Sequence, residues 1–227
     1  MDKKQGRLIV IDGIDGSGKT IQIELLKQVL ASQGVPLETI SFPRYEDNLY
    51  GKLVKKYLEG AFGFIDEVNP YLIALAYACD RTLAKTQIEK WLAEGKLVIT
   101  NRYVSASKAH LGANLPEEKR EEFFKWLNVL EYQTNGMPKE DLTILLAVNP
   151  KIGQSNILDK HQPDIHEGNL RHLEEANKIY LDLAKKQKNW YVVNCMGAHQ
   201  MRSPEEIHQE VLRILVAQAR IYSYDKI

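Results

Sequence analysis

Residues Gly13, Ile14, Asp15, Gly16, Ser17, Gly18, Lys19 and Thr20 follow the pattern G-x-x-x-x-G-K-[ST]. Glycines let a chain bend tightly and turn successive backbone N–H groups toward one point, which suits an anionic phosphate. Lysine directly after the last glycine adds a cation for the outer phosphates of a nucleoside triphosphate, and the threonine hydroxyl offers a ligand to Mg²⁺. The apolar run Leu8 to Ile11 precedes the loop, and Ile21, Leu25, Leu26, Val29 and Leu30 follow it at helical spacing. A buried strand before and an amphipathic helix after are the setting such a loop requires, and the helix adds the positive end of its dipole.

Arginine supplies the next chemistry. Arg44 follows a second apolar run, Arg81 lies inside a helical pattern, and Arg102 follows a third run. Open α/β sheets bind ligands beyond the carboxyl ends of their strands, where Arg44 and Arg102 belong. Guanidinium forks suit a phosphate monoester, although each arginine alone also reads as a surface ion pair. A GTPase would show Asn-Lys-x-Asp after a late strand, and the chain has none. An ATPase machine would place an acidic residue after an apolar strand, but the third and fourth runs end in Asn101-Arg102 and Asn149-Pro150.

The elements that must position these residues alternate along the chain. Strand-like runs cover 8–11, 37–42, 97–100, 142–148 and 190–193. Leu8 to Ile11 shows no polar alternation, as expected for a strand buried on both faces. Helical patterns fill the gaps: one from the Gly18–Thr20 turn to about Gln33, one opening at Asn69-Pro70, one at Pro116 and one at Ser203-Pro204. The expected fold class is α/β, a three-layer P-loop fold with a five-stranded parallel sheet flanked by helices. Lys151 to Gly168 lacks a clear period and reads as a surface loop or short lid.

The 227 residues suit one domain spanning 1–227, with the lid at about 150–168. Thirty basic and thirty acidic residues balance to zero, which argues against a nucleic-acid partner bound through its backbone. Cys79 and Cys195 stand far apart with no metal-ligand spacing. No apolar stretch approaches the ~20 residues that span a bilayer, and no leader is visible, so a cytoplasmic protein is expected.

Taken in order, these motifs resemble the thymidylate kinase family over nearly the whole chain. They are the P-loop containing Asp15, then Phe42-Pro43-Arg44-Tyr45, then Ala74 to Arg81, and Asn101-Arg102-Tyr103. Asp164-Ile165-His166-Glu167 and Tyr180 to Ala184 complete the set. The resemblance implies ATP as phosphoryl donor held by Gly13 to Thr20, with Mg²⁺, and dTMP as acceptor. It implies that Asp15 accepts a hydrogen bond from the sugar hydroxyl, though an aspartate that only stabilises the turn is the plainer reading. Tyr77 would stack on the base with Phe42 walling the pocket, against the plainer reading of Tyr77 as core. Arg44, Arg81 and Arg102 would hold the acceptor phosphate, with Lys19 and Arg102 catalytic. A homodimer is likewise implied.

Three positions depart from the family's pattern. Asn101 stands where the family has aspartate in its D-R motif, so the metal site of Thr20 and Asn101 lacks a negative charge. Gly16 occupies the P-loop arginine position and 151–168 contains no arginine, which leaves Lys160 as the candidate lid cation, or a plain surface lysine. His110 and Leu111 replace an aromatic and a glutamine, putting His110 beside the base. His166 and Glu167 resemble a pattern that orders the lid, and the histidines other than His110 show no metal-ligand spacing. These departures leave two alternatives: a kinase for another deoxynucleoside monophosphate, or a nucleotide-binding relative with weak or no kinase activity.

Overall fold

Among the described residues five parallel strands form one sheet in the order β2-β3-β1-β4-β5. They are β1 (Arg7–Asp12), β2 (Leu37–Ser41), β3 (Leu97–Asn101), β4 (Leu142–Ala147) and β5 (Trp190–Asn194). The computed structural model describes residues 6–159, 162–198 and 200–219. In the sheet's centre Ile11 is level with both Asn101 and Ile144. β1 and β4 are neighbours, yet the chain leaves them toward opposite edges, β2 and β5. The crevice this opens at their carboxyl ends is where a doubly wound sheet binds its ligand.

Among the described residues eight α-helices cover the sheet: α1 (Lys19–Ser32), α2 (Leu49–Leu58), α3 (Pro70–Ala93), α4 (Val104–Gly112), α5 (Glu117–Asn128), α6 (Pro150–Leu158), α7 (Leu170–Lys186) and α8 (Pro204–Ala219). Alternate residues of β1 serve the two faces. Ile9 and Ile11 pack with α1, α7 and α8, whereas Leu8 and Val10 pack with α2, α3 and α5. Burial on both sides explains the unbroken apolar run. The result is the three-layer architecture expected from the sequence.

Local signals set the helix ends. Asn69 caps α3 by accepting from the Tyr71 amide at 2.9 Å, with Pro70 at the first helical position. Ser203 and Glu206 cap α8 reciprocally, at 3.2 and 2.9 Å. One expectation is corrected: the first eight residues of the segment 151–168 are helical, not loop. Asn149 accepts from the Lys151 amide at 3.0 Å and Pro150 opens α6, the same cap that starts α3. Lys160 lies outside the described residues.

A candidate active site at the carboxyl edge of the sheet

The phosphate loop links β1 to α1. Gly18, the residue before α1, sits at φ 90° and makes no side-chain cap, so the first amides of the helix stay open to a ligand. Ser17 Oγ is buried without a hydrogen-bond partner among the described residues, a spare donor inside the loop. Lys19 fills the cradle itself, its Nζ donating to the carbonyls of Gly13 at 2.9 Å and Ile14 at 2.8 Å. Burial first, and then the Arg102 cation, push its ammonium down to about 8. A phosphate would replace both carbonyls and favour the charged form. Thr20 is exposed at the start of α1.

Gly16 explains one departure. It holds φ 74°, and a Cβ there would stand 2.0 Å from the Gly153 carbonyl oxygen. Asn156 of α6 also donates to the Gly16 carbonyl at 3.0 Å. With α6 pressed onto the loop, no side chain fits at position 16, arginine included.

Asp12 and Tyr180 were not apparent as site residues in the sequence. Asp12, fully buried at the end of β1, accepts from the Gly13 amide, Ser105 Oγ and Tyr180 Oη. Across from it, Asn101 ends β3 with its Oδ1 buried and unpartnered among the described residues. That orphaned acceptor is an uncharged oxygen suited to a cation or its water, so the residue fits the expected Mg²⁺ role, weakly.

Arg102 is the hub. It is the sole non-glycine residue at positive φ among those described (63°), a strained conformation typical of functional positions. Its Nη2 is ion-paired with Asp15, and its Nη1 donates to His110 Nε2 at 2.8 Å and, at 3.4 Å, to Tyr180 Oη. Burial opposes a charge on Asp15. The Arg102 guanidinium and Lys19 ammonium overcome it and hold the carboxyl well below the usual range.

The cleft beside Arg102 is lined by Asp15, Phe42, Tyr77, Arg81, Arg102 and His110, with Tyr45, Asp164 and others. Six predicted residues therefore meet. Phe42 is buried and Tyr77 half-buried, giving two aromatic walls. Arg81 differs from expectation. Its guanidinium is buried and paired with fully buried Glu131, with Ser107 Oγ accepting at 2.9 Å. A carboxylate already neutralises it, so it is not a free anion fork but a fixed donor group in the cleft wall. Arg44 does not line the cleft. Its Nε and amide donate to Asp80, at 3.0 and 2.9 Å, and Asn48 donates to the same carboxylate at 2.6 Å. The three arginines do not present three free forks. Asp80 and Glu131 are partners that sequence spacing could not assign, since 36 and 50 residues separate each pair.

Asp164 closes the cleft from the segment before α7, accepting from the amides of His166 at 2.8 Å and Glu167 at 2.9 Å. Burial outweighs these bonds and pushes its carboxyl up to about 6. The histidines, unremarkable by spacing, converge: His110, His166 and His172 offer nitrogens within 4.8 Å of one another.

The family model for thymidylate kinase matches residues 11–211. A probable thymidylate kinase of Pyrobaculum aerophilum is 33% identical over 209 residues, covering 91% of this chain and 95% of that protein. The thymidylate kinase of Mycobacterium tuberculosis is 30% identical over 157 residues, covering 69% of this chain and 73% of its own. The solved thymidylate kinase of Candida albicans shares the fold with a TM-score of 0.74 at 20% identity, over 95% of this chain and 93% of that one. With its phosphate loop and aromatic cleft joined at Asp15 and Arg102, the chain belongs to the thymidylate kinase family.

Proposed function

We propose that this enzyme transfers the γ-phosphoryl group of ATP to the phosphate of dTMP, giving dTDP and ADP. The observation that carries the reading is the Asp15–Arg102 pair, which joins the triphosphate cradle to the aromatic cleft. A donor held by Gly13 to Thr20 and a base between Phe42 and Tyr77 would bring the two phosphates together at Arg102. Phosphoryl transfer asks the protein mainly for position and positive charge. Lys19 would turn from the Gly13 and Ile14 carbonyls to the donor's outer oxygens. Arg102 would exchange part of its contact with Asp15 for the acceptor phosphate, which frees the Asp15 carboxylate for a sugar hydroxyl. Thr20 and Asn101 would hold Mg²⁺, which supplies further charge against the phosphates when bound. Lys160 remains the proposed lid cation.

The exposed apolar residues Leu49 and Leu53 of α2 and Leu72, Leu75 and Leu83 of α3 support a homodimer through this adjoining helix pair. Two free cysteines, Cys79 and Cys195, agree with a reducing, cytoplasmic setting. No described helix is long and apolar enough to cross a membrane.

His110 in the cleft wall favours a second reading, a different deoxynucleoside monophosphate as acceptor. ADP release with Mg-ATP is measured against dTMP, dUMP, dGMP and no acceptor. Turnover confined to dTMP supports the first reading, turnover with another acceptor replaces it, and acceptor-independent or absent turnover refutes both.

A further inference from the structure

Three buried imidazoles meet behind Arg102: His110 on α4, His166 in the turn before α7, and His172 in the first turn of α7. Ring centroids lie 5.7 Å apart for His110–His166, 5.5 Å for His110–His172 and 4.3 Å for His166–His172. Nitrogens this close invite a metal reading, but the hydrogen bonds of His110 and His172 give each of those two protons one place.

A guanidinium can only donate, so Arg102 Nη1, 2.8 Å from His110 Nε2, requires a lone pair there. Neutral His110 then carries its proton on Nδ1. That atom lies 3.3 Å from His172 Nε2, which must accept. The His172 proton therefore sits on Nδ1, 2.9 Å from Asn114 Oδ1, an acceptor. A metal on His110 Nδ1 would force a proton onto Nε2, against the Arg102 N–H. His166 takes no part in the chain. Its Nε2 lies 2.9 Å from Tyr57 Oη, and its ring packs on both others.

We propose that Asn114, His172 and His110 form a directed hydrogen-bond relay that positions Arg102 by keeping His110 an acceptor. The relay gives the guanidinium a second anchor: Asp15 holds Nη2 and His110 holds Nη1, so the plane of the fork is fixed before acceptor binds. His172 and Asn114 are positioning residues, acting only through His110. The functional consequence rests on Arg102 handling the acceptor phosphate, as proposed above, whereas the relay itself does not.

Nitrogen-15 NMR of the imidazoles in the intact protein tests the relay without reference to activity. Both His110 and His172 are expected as the Nδ1–H tautomer. His110 found protonated on Nε2, or a stoichiometric Zn²⁺ that shifts all three rings at neutral pH, overturns it. Kinetics tests the consequence. His172→Leu removes the acceptor for His110 and is expected to raise the KM for dTMP about tenfold, while the KM for ATP moves by less than about twofold. His172→Gln keeps an oxygen able to accept from His110 Nδ1 and is expected to restore the parent KM to within about twofold. Equal impairment by leucine and glutamine in variants that melt like the parent overturns the positioning role. If the parent itself fails to use dTMP, the proposed function fails, and the NMR result still decides the relay.

Discussion

Replacing Glu131 with alanine strands the Arg81 guanidinium in the core, and the size of the penalty follows from its surroundings. Arg81 is 2% exposed and Glu131 is 0% exposed. Arg81 Nε donates to Glu131 Oε1 at 3.0 Å, a separation worth roughly 5 kcal/mol of Coulomb attraction at an effective dielectric near 20. Burial works against the charge on Arg81 and Glu131 offsets it; once Glu131 is gone the penalty remains, because a guanidinium does not lose its proton to escape it. Ser107 Oγ and the Tyr103 carbonyl remain as neutral partners, at 2.9 and 3.5 Å. Breaking one side of such a pair costs about 3–5 kcal/mol, near 10 °C in melting temperature for a chain of this size. Urea unfolding of Glu131→Ala should show that loss. The double replacement Arg81→Met with Glu131→Leu should recover most of it, because apolar residues of similar volume need no partner. A loss under about 1 kcal/mol for Glu131→Ala would mean that Arg81 is solvated, and the reasoning about its fixed role in the cleft wall fails.

Acid should destabilise the fold through the histidine cluster. Burial pushes His172 down to about 4 and holds His110 and His166 well below their usual value, with Asp15 and Arg102 as the nearby charges. The unfolded chain takes up protons below about pH 6.5 that the folded chain refuses, so this contribution is complete above that pH. It is lost as pH falls toward 4, by roughly 3 kcal/mol for His172 alone. A urea midpoint that stays flat from neutral pH to about 4.5 would contradict this. Asn101→Asp adds a carboxylate where Oδ1 is orphaned and should lower the Mg²⁺ needed for half-maximal activity by about tenfold, read by Mg²⁺ titration of initial rates. Leu72→Glu and Leu83→Glu together should turn the proposed dimer into monomers by sedimentation, and a parent that sediments as a monomer removes that proposal.

The phosphate loop and the five strands could be read because their signals are local. Glycines at fixed offsets define the loop, and an unbroken apolar run marks a strand buried on two faces. The start of α6 was equally readable. Asn149-Pro150 is the same cap as Asn69-Pro70, but the polar residues after it hid the short helix. Asn48, whose side chain accepts from the amides of Tyr50 and Gly51, likewise announces α2, and Leu49, Leu53, Val54, Tyr57 and Leu58 follow it at helical spacing. What could not be read is pairing at a distance. Arg44 with Asp80 and Arg81 with Glu131 form only once α3, the 42–45 turn and the residues after α5 have packed. The histidines at 110, 166 and 172 carry no spacing at all, since two elements and a turn bring them together.

The central claim is that one phosphoryl group passes from the P-loop to a monophosphate held beside Arg102. Incubating the protein with γ-labelled ATP, Mg²⁺ and dTMP and separating the nucleotides tests it directly. The expected result is label in dTDP, lost in Lys19→Ala and in Arg102→Ala. Label released as inorganic phosphate, or retained in ATP by a fully folded protein, would contradict it.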